Sequence, residues 1–190
     1  MKKIVLFLGL LVVLSLSGCT SYNFNNQNYS KASDALAAHS KFLDEIKQKI
    51  SIKEATLPAN VMIITPSKET CEAVGITRTG TPKKELTAYL GEFLESDYAY
   101  FPKYLVASKA FSNVESKIAD YPIKEAHALI GKYSAVIYLH ILSPSQIGWY
   151  MLKPGSNQPI QINMDAKAAP GAPKIDSWID SVIAIYSSKS

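Results

Sequence analysis

The chain has 190 residues, of which 47% are hydrophobic and 19% charged, with a formal net charge of +4. That composition suits a globular chain with room for one sizeable core. Arg78 is the sole arginine and no lysine block occurs, which argues against nucleic acid as a partner.

Lys2 and Lys3 precede an unbroken apolar run from Ile4 to Leu14, and small residues, Ser17 and Gly18, lead into Cys19. A charged start, a short apolar core and a small-residue end describe a removable secretory signal over 1–18, and the run is shorter than the roughly 20 residues a spanning helix needs. Leu16-Ser17-Gly18-Cys19 resembles the lipobox of bacterial lipoproteins. The resemblance implies cleavage between Gly18 and Cys19, a diacylglycerol on the Cys19 thiol and a further acyl chain, such as palmitate, on the new amine. Two or more chains hold a protein stably on a bilayer. Thr20 and Ser21 follow where family members kept in the inner membrane carry an aspartate, so the resemblance points to the outer membrane, with the domain facing the periplasm. Cys71 is the only other cysteine. No intrachain disulfide is expected, and a buried thiol is favoured over pairing between chains.

Removing the leader leaves about 170 residues, read as a lipidated tether over 19–32 and one globular domain over 33–190. The tether is polar, asparagine-rich and without periodicity, and as a random coil it would hold the domain roughly 20 Å from the lipid. Ser33 is read as the cap of a helix with Leu36, Leu43, Ile46 and Ile50 on its apolar stripe. Val61 to Ile64, closed by Thr65-Pro66, reads as a buried strand. Ser67 to Gly80 reads as a long loop. Thr81 and Pro82 open a second helix with Leu86, Leu90, Phe93 and Leu94 on its core face. Tyr98, Tyr100 and Phe101 are read in a turn, and Tyr104 to Ala107 as a second strand. Val114 and Ile118 are read as a broken helical turn, with Pro122 restarting a helix that ends near Gly131.

Ala135 to Leu142 is apolar on both faces and reads as a central strand. Gly148 to Leu152 and Ile160 to Met164 flank the turn Lys153-Pro154-Gly155-Ser156-Asn157 as a hairpin. The chain closes on a helix burying Ile175, Trp178, Val182, Ile183 and Tyr186. The expected fold is α/β with a mixed sheet, a β-α-β-α-β-β-β-α core preceded by one helix and the tether; its helix-linked strands should pair in parallel.

The stretch Ala126 to Ile141, in which a helix ends in Gly131-Lys132 and Ser134-Ala135 opens a strongly apolar strand, resembles a segment of small envelope lipoproteins. Similar segments occur in the periplasmic domain of the curli-secretion lipoprotein, in lipoprotein activators of peptidoglycan synthases and in the amino-terminal domain of the Tol system's beta-propeller protein. The strand Val61-Met62-Ile63-Ile64-Thr65-Pro66, its long loop and the helix beyond resemble a group of short outer-membrane lipoproteins. The resemblance covers about two-thirds of the chain and implies the mixed α/β fold, not a task. The curli lipoprotein builds its pore from long inserted hairpins of alternating residues, which this chain lacks, so no pore is expected.

Gly75-Ile76-Thr77-Arg78-Thr79-Gly80 has the glycine spacing of a phosphate-binding loop, but Thr81-Pro82 replaces the required lysine and hydroxyl. Arg78, Lys83 and Lys84 beside a helix start could still receive an anion. His39, His127 and His140 are too scattered for a metal site, and His140 reads as a packed, hydrogen-bonded residue. No nucleophile elbow or separated carboxylate pair is apparent. Tyr98, Tyr100, Phe101 and Tyr104, with Trp149 and Tyr150, form an aromatic group suited either to core packing or to a contact surface. No cofactor, metal or enzymatic activity is expected. The leading expectation is an adaptor or assembly factor that binds an envelope protein or peptidoglycan; the alternative is a binding module for a small anionic ligand or a glycan. The mature protein should begin at Cys19 and carry diacylglycerol there; intact-mass measurement showing another start, or a free thiol, overturns this.

Overall fold

The computed structural model describes residues 21–79, 84–143, 146–156 and 158–188, without the side chains of 75–79, 142, 143 and 146. In chain order the elements are β1 (Tyr22–Phe24), β2 (Gln27–Tyr29), α1 (Ala32–Gln48), β3 (Leu57–Pro66), α2 (Lys68–Thr79), α3 (Lys84–Ser108), β4 (Phe111–Ala119), α4 (Pro122–Leu129), β5 (Ala135–Ser143), β6 (Gln146–Leu152), β7 (Ile160–Ile162) and α5 (Ala172–Ser187). The fold is the expected α/β arrangement, with a five-stranded mixed sheet in the order β4-β3-β5-β6-β7. Strands β4, β3 and β5 run parallel, and β6 and β7 add antiparallel partners. As the sequence suggested, β5 is the central strand.

Both faces of β3 and β5 are apolar, so both need cover. Val61, Ile63, Ile137 and Leu139 meet α1, the second half of α3 and α5 in the main core, which includes Phe101, Trp149 and Trp178. Met62, Ile64, Val136 and Tyr138 turn to the other face, where Ala126 and Ile123 of α4 cover them. The chain leaves β3 for β4 in one direction and returns over β3 to β5 in the other. Crossovers of one hand therefore place α3 and α4 on opposite faces.

A smaller core joins the amino terminus to the body. The expected flexible tether over 19–32 is instead, from Tyr22 onward, an antiparallel hairpin with Tyr22 paired to Tyr29 and Phe24 to Gln27. Asn25 (φ 52°) and Asn26 (φ 63°) supply its two-residue turn, the left-handed pair that matches strand twist. Tyr22 and Phe24 are buried against Ala35 of α1 and Leu86, Tyr89, Leu90 and Phe93 of α3. Alternation of Tyr22, Phe24 and the polar residues between them outweighs the asparagine-rich composition.

Four other expectations are corrected. Helix α1 begins at Ala32 after Lys31, and Ser33 lies inside its first turn instead of capping it. The expected loop from Ser67 is α2, capped by Ser67, whose hydroxyl accepts the Thr70 amide at 3.3 Å. The expected turn at Tyr98–Phe101 and strand at Tyr104–Ala107 are the second half of α3, which continues through Pro102. Leu86, Tyr89, Leu90, Phe93, Tyr100, Phe101, Tyr104 and Leu105 repeat at helical spacing and are all buried, and that stripe decides against four consecutive strand-like residues. The second strand is β4, where a helical turn at Val114 and Ile118 was expected. Its polarity fits a sheet edge, where one side of the strand has no neighbour. Thr81 and Pro82 lie outside the described residues.

Lys153, buried after β6, donates to the backbone carbonyls of Ile185 at 3.2 Å and Tyr186 at 3.4 Å at the end of α5. A cation there satisfies helix-end carbonyls and opposes their dipole. Lys153→Met should keep the packed stem and lose these bonds, lowering stability by about 1–3 kcal/mol in urea unfolding; an unchanged midpoint would refute the cap.

Candidate functional site

Pairing between β3 and β5 ends at Ile64 and Tyr138, whereas β5 goes on to pair with β6 through His140 and Ile141. Beyond Tyr138 the β3 side of β5 is therefore unpaired. The chain turns away at Pro66, which has no amide hydrogen to continue a ladder. Ser67 holds this exit in place: its amide donates to the Ala119 carbonyl at 3.2 Å, joining the ends of β3 and β4. Thr70 Oγ1 donates to the Asp120 carbonyl at 3.3 Å. From there α2 and α4 start on either side of a gap. Pro122 fits the first turn of α4, where its missing amide hydrogen costs nothing.

The result is a cleft of about 830 Å³ at the carboxyl ends of β3, β4 and β5. Adjacent parallel strands whose connections leave to opposite faces open such a crevice. One wall is Glu69, Thr70, Ala73 and Val74 of α2; the other comprises Asp120, Tyr121, Pro122 and Ile123; His140 and Ile141 form the floor. The lining is mainly apolar, with the exposed carboxylates of Glu69 and Asp120 beside it. Tyr121 is 73% exposed and Ile118, three residues earlier on β4, is 56% exposed. A large ring of the cleft's own lining thus stands in solvent, while Ile118 is exposed on the edge strand outside that lining.

His140 is half-buried with its ring near Tyr138 and Tyr150. Burial lowers its pKa below the ordinary 6.5, so at neutral pH the imidazole is uncharged and offers one donor and one acceptor. His140 packs beside two tyrosine rings but is only half-buried, and its position at the cleft floor is an addition to the expectation of a packed, hydrogen-bonded residue.

The structure does not gather the residues singled out in the sequence. Tyr100, Phe101, Tyr104 and Trp149 are buried core residues, with Phe101 against Trp149 at 4.6 Å and Trp178 at 5.0 Å between ring centroids. Tyr98 is partly buried against the same core. Tyr150 is half-buried on the opposite face, stacked on Tyr138. The aromatic group is thus an internal one, and reading it as a contact surface is corrected. Lys84 is exposed at the start of α3, the side chain of Arg78 is not described, and Gly18, Cys19 and Lys83 lie outside the described residues. Glu69, Asp120 and Tyr121 carried no sequence signal, because sequence-distant strand exits assemble them.

A scan against protein-family models and searches of curated proteins and solved structures return no match. Among the described residues, no helix is long and apolar enough to cross a membrane, and no three His, Cys, Asp or Glu side chains form a metal-ligating group.

Cys71 lies on α2 with its thiol buried, as expected for the unpaired cysteine. Burial pushes this thiol up to about 12 from an ordinary 9.0, and the charges of Glu95 and Asp97 add to the shift. Above pH 9 the unfolded chain loses a proton that the fold keeps, so stability falls as pH rises from about 9 toward 12. Tyr89 and Tyr138, both raised to about 12, add to the loss at the upper end. In urea unfolding as a function of pH, Cys71→Ala should show a shallower decline between pH 9 and 10 than the parent; equal slopes would refute the assignment.

Proposed function

We propose that this chain is a lipid-anchored envelope lipoprotein, held at the outer membrane and facing the periplasm, that acts without catalysis as an adaptor or assembly factor by binding another envelope component. The observation that carries this reading is the exposure of Tyr121, a residue of the apolar cleft's own lining. Large apolar groups in solvent next to a concave apolar surface mark an interaction site when they are contiguous. An aromatic ring buries much area at small entropic cost on binding. Glu69 and Asp120 then set the partner's character: a segment with an apolar anchor flanked by Lys or Arg complements an apolar cleft with an acidic rim.

A second reading, a binding module for a small ligand or glycan, is favoured by the cleft's volume of about 830 Å³, within the range of small-molecule sites. The two carboxylates repel a small anion, so a neutral glycan suits this cleft better than an anionic ligand.

A photocrosslinking residue replacing Tyr121 in intact cells tests the first reading. It should give one reproducible protein adduct, and Ile123→Asp, which puts a charge in the cleft, should reduce that adduct at least tenfold while circular dichroism stays unchanged. An adduct indifferent to Ile123→Asp, or no protein adduct at all, overturns the adaptor reading. A glycan found in native mass spectra of the parent and missing from Ile123→Asp would establish the second reading.

A further inference from the structure

We infer that the folded domain is seated directly on the lipid surface by the end that carries the β1–β2 hairpin, instead of hanging from a flexible leash. This rests on the proposal that Cys19 carries the lipid. Only Thr20 and Ser21 stand between Cys19 and the first strand residue, Tyr22. Three residue steps span at most about 10 Å even when fully extended. Tyr22 is no loose end: it is buried, its ring lies 5.0 Å from that of Tyr89, and the Tyr89 hydroxyl donates to the Asn23 carbonyl at 3.4 Å. Phe24 is enclosed by His39, Phe42 and Phe93. Lengthening the tether by peeling the hairpin away would expose Tyr22 and Phe24. Keeping both rings out of water favours the folded arrangement, so the short link fixes the height of the domain.

The topology shows which end this is. Helix α3 leads from the carboxyl end of β3 back to the amino end of β4, and α1 lies parallel to it, with His39 bonded to Asp97 at 2.7 Å and the Tyr104 hydroxyl to the Leu43 carbonyl at 3.4 Å. The start of α1, the start of α3 and the hairpin packed on both thus lie at the carboxyl end of the parallel strands. Helix α2 pairs with α3 through Lys68–Glu92 at 2.7 Å and the close approach of Glu72 to Gly91, so it runs outward at this same end. The cleft opens there too, on the membrane-proximal side of the sheet. Ile52, exposed before β3, marks the far end.

The test uses the full lipidated protein in phosphatidylethanolamine–phosphatidylglycerol vesicles, with a nitroxide at Gln27→Cys or Ile52→Cys and a nickel chelate on the lipid headgroups. Both positions are exposed, and the buried Cys71 resists labelling. Collisional relaxation at position 27 should exceed that at position 52 at least fivefold. Inserting twenty Gly/Ser residues between Ser21 and Tyr22 should bring the two values together. Equal relaxation in protein whose intact mass shows a lipidated Cys19 overturns the seating and leaves the anchor standing. Contrast that survives the insertion overturns the short link as its cause. An unmodified Cys19 overturns anchor and seating together.

Discussion

Neither β3 nor β5 has a polar face to offer to water, and the rest of the molecule is arranged around that constraint. Val61 to Ile64 and Ala135 to Leu139 are almost entirely inaccessible. A strand with both faces apolar must lie inside a sheet with a layer on each side. On one side three helices and two tryptophans fill that layer. On the other, the cover is α4, only eight residues long, or about 12 Å of helix. It starts beside the cleft at Pro122 and shields Met62, Ile64, Val136 and Tyr138 on its way back to the start of β5, while His140 and Ile141, farther along that strand, line the cleft. The cleft is what remains beyond the reach of that short cover, at the point where β3 has already turned away. Site and fold thus share one origin: a central strand longer than the elements that protect it.

The second core arises from a different imbalance. Helix α3 has 25 residues, about 38 Å at helical rise, more than a nine- or ten-residue strand can match. Its second half packs on the sheet, and its first half needs other cover. The first half of α1 and the hairpin supply it, with His39 stacked 3.6 Å from Phe93 and bonded to Asp97 between the two helices. His39 Nδ1 has no hydrogen-bond partner among the described residues. With the bonds from the Tyr100 hydroxyl to Asp44 at 3.1 Å and from the Tyr104 hydroxyl to the Leu43 carbonyl at 3.4 Å, the His39–Asp97 bond fixes how α1 lies along α3, at the cost of leaving the other ring nitrogen of His39 unsatisfied.

What could be read in the sequence divides along the same lines. Elements whose burial is uniform announced themselves: β5 by apolar residues on both faces, α5 by the spacing of Ile175, Trp178 and Val182, and the β6–β7 pair by its Pro-Gly turn. Elements whose character depends on a distant neighbour did not. β4 is polar because it is an edge, which only sheet order reveals. Tyr104 to Ala107 looks like a strand until the eighteen preceding residues are counted at helical period, and Pro102 hides that count because proline usually ends a helix. The hairpin was masked by five asparagines and glutamines between its aromatic residues. The cleft was invisible for the strongest reason: its walls come from residues 69–74, 120–123 and 140–141, joined only by the parallel register.

On the proposal that Cys19 carries the lipid, that register also brings the site toward the membrane. A leashed domain samples a shell around its anchor, and a partner can meet it at any height within the leash. A domain held within about 10 Å of the lipid meets only what comes to the bilayer surface, and its orientation is set as well as its distance. The cleft and the hairpin occupy the same end of the sheet because α3 must return the chain to the start of β4, so its beginning, and whatever covers that beginning, falls beside the strand exits. On the same proposal, a component bound at Tyr121 would have to approach close to the leaflet, as the periplasmic face of a membrane-embedded or likewise anchored protein does. A freely diffusing partner gains nothing from such placement. An anchored one arrives already confined to the same layer, which raises its effective concentration at the cleft without any additional contact.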